Sequence, residues 1–186
     1  PDALRRALNA VLPGAVWVAA AHEMRSEFHA RYSAIGRRYS YYIGTDDAAH
    51  SPFRRGTEYA VPFAVDRNTL RDSARVLVGE HSFRAFAVKG TAPENDQHRC
   101  DVRSADWRDR ADGAGLVFEI EANRFLHHMV RFLVGTMLDV GSGRRPPSDI
   151  RALLDAPDNR DVSPPAPPHA LFLDHVEYPR DLYAAT

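Results

Sequence analysis

The amino-acid sequence predicts an α+β fold with a mainly antiparallel sheet flanked by helices. Three observations support this class. Segments with the two-residue period of strands interleave with segments that have the 3.6-residue period of helices. Two strand-like segments are joined by Ala-Asp-Gly-Ala-Gly, which is typical of a hairpin. The chain has 186 residues, of which 44% are hydrophobic and 26% charged, and this is the composition of a folded globular protein.

Four helices are predicted, and their ends carry recognisable signals. The first has leucines four residues apart and is closed by Pro13-Gly14. Asp66 can cap the second, and Gly79 ends it. The third is apolar nearly all round, so we expect it to be buried. The predicted ranges are 2–12, 66–78, 125–140 and 146–154.

Five strands are predicted from runs of β-branched and aromatic residues. The clearest covers residues 37–43 and alternates between two faces. One face of this strand carries Tyr39, Tyr41 and Ile43, and the other carries Arg38, Ser40 and Tyr42. The remaining predicted strands cover residues 15–21, 102–107, 116–122 and 171–178.

Charge is balanced over the whole chain but unevenly distributed. The 24 basic and 25 acidic residues give a net charge of −1, which excludes a uniformly basic nucleic-acid-binding protein. Residues 25–55, however, contain six arginines and only three acidic residues, so this part is suited to a polyanion. Lys89 is the only lysine, and the excess of arginine suits phosphates and base edges, although a GC-rich coding sequence would produce the same bias.

The sequence excludes several other classes of protein. No apolar run approaches the roughly 18 residues of a membrane helix, so we expect no membrane contact. The single Cys100 excludes a disulfide framework and a cysteine metal cluster. A reducing compartment is the simplest environment for such a chain, and we therefore expect a cytoplasmic protein.

Arg131 is a cation in the middle of the apolar helix predicted over residues 125–140. A buried guanidinium needs a partner, so we expect a carboxylate or a phosphate beside it. A structural salt bridge would meet the same need without any catalytic role. His127 and His128 would point apart on a helix, which argues against a shared metal ion.

Tyr39 is the second candidate for chemistry, because it follows two arginines on the clearest strand. Its ring could stack on a base while Arg37 and Arg38 hold phosphates. The aromatic face of this strand could equally belong to the hydrophobic core. The residues alone leave these alternatives open.

Three motifs resemble those of the tRNA pseudouridine synthase A family. They are Phe-His-Ala-Arg-Tyr-Ser-Ala at 28–34, Arg-Arg-Tyr-Ser-Tyr at 37–41 and Ala-Asn-Arg-Phe-Leu-His-His-Met-Val-Arg at 122–131. The resemblance extends from about Ala7 to Tyr178 and keeps the family's order. It implies a pseudouridine synthase-like fold and an isomerase that converts uridine to pseudouridine in the anticodon arm of tRNA. It further implies a homodimer without cofactor or catalytic metal.

The resemblance also implies roles for individual residues. Tyr39 matches the active-site tyrosine that packs on the uracil and is a candidate for proton transfer, and Arg131 matches the arginine that pairs with the catalytic aspartate. Leu171 matches an apolar residue of the base pocket, although Ala170 replaces the glycine that usually precedes it. Further substrate contacts are expected from Arg31, Arg37, Arg38, His127 and His128.

The nucleophilic aspartate of the family lies in a Gly-Arg-Thr-Asp-Ala-Gly stretch, upstream of every motif found here. The 186 residues do not contain this stretch. We therefore expect residues 1–44 to be the remnant of an amino-terminal α+β half and 45–186 to be the carboxyl-terminal half. Asp46 lies in a superficially similar sequence, which follows the Tyr39 strand directly and lacks the second glycine.

We expect this chain alone not to form pseudouridine, because the nucleophilic aspartate is absent. Two other classes of function remain open. One is a catalytically inactive RNA-binding module, and the other is a scaffold that dimerises through helix 125–140. Neither requires a nucleophile.

Overall fold

The computed structural model describes residues 1–93 and 95–184. They form two compact units. The smaller unit combines Pro1–Ile35 with the described residues that follow Val176, and the larger unit is Gly36–Val176. The predicted boundary between residues 1–44 and 45–186 is one between two halves of the family's fold. The two compact units are defined by contacts within this chain alone, so they do not test that boundary.

The smaller unit begins with helix α1, Asp2–Val11, as predicted. Residues 15–21 do not form the strand that the apolar run predicts. The side chain of Asn9 bonds both backbone groups of Val18, with Asn9 Nδ2 donating to Val18 O at 2.9 Å and Val18 N–H donating to Asn9 Oδ1 at 2.8 Å. A side chain thus occupies backbone groups that a neighbouring strand would otherwise pair.

The larger unit is built on a six-stranded sheet formed by the residues that the structure describes. The strands are β1, Gly36–Gly44; β2, Tyr59–Ala60; β3, Gly79–Ser82; β4, Arg99–Asp109; β5, Gly115–Ala122; and β6, Leu171–Glu177. The strand order is β2-β1-β5-β4-β3, and β6 also pairs with β1. Strands β1 and β5 are antiparallel, with Tyr39 opposite Ile120, and β4 and β5 form the predicted hairpin. The α+β prediction is confirmed.

The described residues of the larger unit also form three α-helices: α2, Arg67–Arg75; α3, Met129–Gly141; and α4, Asp149–Leu154. As predicted, Asp66 caps α2, its carboxylate accepting from the N–H of Thr69 at 2.6 Å. The core contains Tyr41 of β1, Trp107 of β4 and Met137 of α3, all fully buried. Trp107 Nε1 donates to Met137 Sδ at 3.4 Å, which links the sheet to α3. None of the described helices is long and apolar enough to cross a membrane.

Candidate active site

Strand β1 holds Tyr39 at the margin of the core. The ring is half-buried and meets Phe125 edge-on, with ring centroids 5.0 Å apart and an interplanar angle of 82°. Burial raises the pKa of Tyr39, and the positive charge of Arg37 lowers it to a smaller extent. The phenol therefore stays protonated at neutral pH and can donate a hydrogen bond.

Arg131 lies in the first turn of α3 rather than in the middle of a longer helix. The prediction of a helix from residue 125 is wrong, because α3 begins at Met129. His128 has a φ of +62°, a left-handed conformation that a right-handed helix cannot continue through. Leu126 is buried at 9% exposure without being helical, and Phe125 is half-buried.

His127 and His128 are consequently not on the helix, and the expectation that they point apart is wrong. Their ring centroids are 4.2 Å apart. Both side chains are exposed. The pKa of His128 is lowered, first by desolvation and then by the positive charges of Arg131 and His127. The neutral imidazole of His128 can donate or accept a hydrogen bond.

The guanidinium of Arg131 is held by backbone rather than by an acid. Its Nε donates to Ala166 O at 2.6 Å, while the N–H of Ala166 donates to Arg131 O at 2.9 Å. One terminal nitrogen lies 3.4 Å from His128 Nε2. Among the residues that the structure describes, no carboxylate forms an ion pair with Arg131. The alternative of a structural salt bridge is therefore not seen within the described ranges.

A proline-rich segment, residues 164–167, lies close to both α3 and β1. A Cβ on Gly135 would lie 2.1 Å from Pro164 O, so only glycine permits this approach. Tyr41 donates its hydroxyl to Pro167 O at 2.8 Å. Burial raises the pKa of Tyr41, and the charge of Arg131 opposes this rise. The segment thus fixes Arg131 near the β1 face that carries Tyr39 and Tyr41.

Leu171 is the first residue of β6 and is half-buried against the core. It follows a short 3₁₀ turn, Pro168–Ala170, whose last residue is fully buried. Ala170 does not have a positive φ, so the backbone here does not need the glycine that the family usually has. Because β6 pairs with β1, Leu171 belongs to a strand adjacent to that of Tyr39.

The predicted substrate-contacting arginines lie in different places. Arg37 donates to Asn123 O at 2.9 Å, while Arg38 pairs with Glu121 at 3.1 Å. Arg38 projects from the face of β1 opposite to Tyr39, since neighbouring residues of a strand alternate. Arg31 is in the smaller unit, with its guanidinium 5.8 Å from the ring centroid of Tyr32.

Asp46, the aspartate of the superficially similar sequence, pairs with an arginine other than Arg131. Asp46 is exposed and forms its ion pair with Arg54 at 2.8 Å. The hydrogen bond from Arg54 is the main cause that lowers the pKa of Asp46. Within the described ranges, no three or more histidine, cysteine or acidic side chains are grouped as a metal site requires.

Sequence reasoning missed the residues that hold the site together. Phe125 falls in the helix predicted over residues 125–140, and Ala166 and Pro167 fall in no predicted helix or strand. Gly135 gave a usable signal, because a glycine inside a strongly apolar helix often marks a close approach of another segment. Nothing in the sequence indicated which segment approaches.

Proteins with similar sequences identify the family of this chain. The family model described as tRNA pseudouridine synthase matches residues 73–179. The tRNA pseudouridine synthase A of Exiguobacterium sibiricum is 36% identical over 96% of this chain and 69% of its own length. Those of Bacillus velezensis and Cereibacter sphaeroides are each 37% identical, over 92% and 99% of this chain and 68% and 72% of their own lengths. The chain belongs to the tRNA pseudouridine synthase A family.

Proposed function

We propose that this chain takes part in converting uridine to pseudouridine in the anticodon arm of tRNA. Tyr39 and Arg131 supply part of the active site, and the nucleophile is an aspartate that the 186 residues do not include. One observation carries the proposal. Arg131 is fixed by Ala166 beside the aromatic face of β1, yet no described carboxylate neutralises it.

The arrangement suits a uridine that has left the base stack. Flipping a base out of an RNA stack costs a few kcal/mol, and stacking on an aromatic ring returns about 1–3 kcal/mol. The half-buried ring of Tyr39, braced by Phe125, offers such a surface. Leu171 would contribute an apolar wall to the same base pocket.

The reaction itself needs the carboxylate that Arg131 would hold. The aspartate attacks the nucleotide, the bond between uracil N1 and C1′ breaks, and the uracil turns. The uracil then rejoins C1′ through C5, which releases the aspartate and the C5 proton. A guanidinium next to a carboxylate keeps that carboxylate ionised and therefore nucleophilic. Protonated Tyr39 would donate a hydrogen bond to the uracil and take part in moving the proton that leaves C5.

We further propose tRNA as the partner and a homodimer as the assembly, in the cytoplasm and without a cofactor. Arg31, Arg37, Arg38, His127 and His128 would contact the RNA. The planar guanidinium of arginine can donate two hydrogen bonds to phosphate oxygens, and exposed imidazoles can form hydrogen bonds with phosphates or base edges. Because the phosphate contacts release counterions, tRNA binding should weaken as the salt concentration rises.

The test is to join the chain, at Pro1, to a family stretch that carries Gly-Arg-Thr-Asp-Ala-Gly. Tritium release from tRNA labelled at C5 of uridine then reports isomerisation. We expect release from the joined chain and loss of release in Arg131→Ala. Arg160→Ala is the matched control, because Arg160 has 85% of its side chain exposed and pairs only with Asp158 among the described residues.

Two results would contradict the proposal. The first is an Arg131→Ala variant of the joined chain that is folded by circular dichroism and releases tritium at the parent rate. Such a variant would show that Arg131 is not part of the active site. Salt-dependent tRNA binding without any release from the joined chain favours the RNA-binding module instead.

A further inference from the structure

A pocket separate from the candidate active site lies on the face of β1 that points away from Tyr39. Its volume is about 340 Å³, which is within the range of small-ligand sites. Side chains alternate between the two faces along a strand, so Ser40 and Tyr42 of β1 share this face. Phe172 and Asp174 of β6 share a face for the same reason. The pocket is lined by Tyr42, Thr57, Glu58, Arg110, Phe172 and Asp174.

Two aromatic rings form the apolar part of the pocket. Tyr42 and Phe172 meet edge-to-face, with centroids 5.6 Å apart and an interplanar angle of 79°. The guanidinium of Arg110 lies 5.9 Å from the centroid of Tyr42. Phe172 keeps 37% of its surface exposed, although a large apolar side chain on a sheet would ordinarily be covered.

The polar part of the pocket is dominated by carboxylates. Ser40 donates its hydroxyl to Asp174, and among the described residues no other side chain bonds this carboxylate. Glu58 is 3% exposed and is paired with Arg54 and Arg110. Arg110 also pairs with Asp112 at 2.6 Å. Asp174 therefore keeps acceptor capacity for a ligand, while Arg110 is already engaged by two acids.

This chemistry selects a nucleobase and rejects a phosphate. Exposed aromatic rings can stack on any of the four bases, because every base has a flat aromatic face. A carboxylate accepts from the amino group of a base, as in the pairing of Asp or Glu with cytosine N4. A phosphate would instead be repelled by Asp174. Uracil carries no amino group, so the pocket differs in preference from a site for the target uridine.

We propose that this pocket binds an unpaired base of the tRNA that carries an exocyclic amino group, stacked on Tyr42 and Phe172 and bonded to Asp174. The proposal rests on the proposed function, because it takes the ligand to be a tRNA base. The pocket would hold one nucleotide of the RNA on this face of the sheet, while a different nucleotide reaches Tyr39 on the opposite face.

The first experiment is saturation-transfer NMR on the whole chain with cytidine and with uridine. We expect a stronger signal from cytidine. Phe172→Ala should weaken cytidine binding by about fivefold or more, because base stacking has about that effect on affinity. Asp174→Asn should reduce the preference for cytidine over uridine. Phe53→Ala is the control, since Phe53 is 94% exposed and does not line the pocket.

Each outcome decides the proposal. Equal signals from cytidine and uridine overturn it, as does undiminished cytidine binding by Phe172→Ala. Should Phe172→Ala shift the melting temperature, Asp174→Asn alone carries the test. A cytidine preference in a chain whose joined form never releases tritium keeps the pocket and rejects the proposed function. Tritium release by the joined form, together with equal binding of cytidine and uridine, rejects the pocket and keeps the proposed function.

Discussion

Gly135 offers the sharpest test of how the site is held together. An alanine Cβ at this position would lie 2.1 Å from Pro164 O and 3.3 Å from Ala166 N. Both neighbours are backbone atoms, so no side-chain rotation relieves the overlap. Either α3 or the segment 164–167 has to move.

The expected loss of stability follows from these contacts. Alanine in place of glycine favours a helix by up to about 1 kcal/mol. Overpacking of this kind costs about 1–3 kcal/mol. Displacing the segment would also break the two hydrogen bonds between Arg131 and Ala166 and the one from Tyr41 to Pro167, at about 1 kcal/mol each. We expect Gly135→Ala to lose about 3–5 kcal/mol of unfolding free energy in total.

Urea denaturation of the chain measures this change. Gly56→Ala is the matched control, because a Cβ there meets no atom within 4 Å, and its unfolding free energy should change by less than about 0.5 kcal/mol. A Gly135→Ala variant as stable as the parent would refute the argument that segment 164–167 is packed this closely against α3. It would also remove the proposed support of Arg131.

The remaining predictions concern Tyr39 and Cys100. In the joined chain, Tyr39→Phe should keep tRNA affinity within about twofold but lower tritium release, because the ring remains and the hydroxyl is lost. Tyr39→Ala should weaken tRNA binding by about fivefold or more. Equal tRNA affinities of the two variants would argue against stacking on this ring. Burial raises the pKa of the Cys100 thiol from 9.0 to about 11, so iodoacetamide at pH 8 should label it only in urea. Because this pKa is raised on folding, the thiol's contribution to stability is complete below pH 9 and declines as the pH rises through about 11. Cys100→Ala should lose that decline in urea titrations over the same pH range, and an unchanged decline would contradict the assignment.

The four longer strands of the sheet were predictable because their signals are local, whereas the short strands β2 and β3 were not predicted. The two-residue period of residues 37–43 predicted β1, and the turn before Gly115 joins two clear strands. Asp66 and Gly79 likewise give the bounds of α2 to within a few residues. The strand predicted over 15–21 failed because a run of apolar residues does not reveal that the side chain of Asn9 bonds Val18.

The candidate site was predictable only in its residue types. A cation in an apolar segment identified Arg131, and the motif identified Tyr39. The left-handed conformation of His128 has no sequence signal, so the start of α3 was placed too early. The contact between Arg131 and Ala166 joins residues 35 positions apart, and periodicity carries no information about such distant pairs.

The central claim is that Arg131 forms part of a synthase site whose nucleophile is not among these 186 residues. Tritium release from tRNA labelled at C5 of uridine tests it most directly, measured for residues 1–186 and for the same chain joined to the family's Gly-Arg-Thr-Asp-Ala-Gly stretch. We predict no release above background from residues 1–186 and clear release from the joined chain. Release from residues 1–186 alone would contradict the claim.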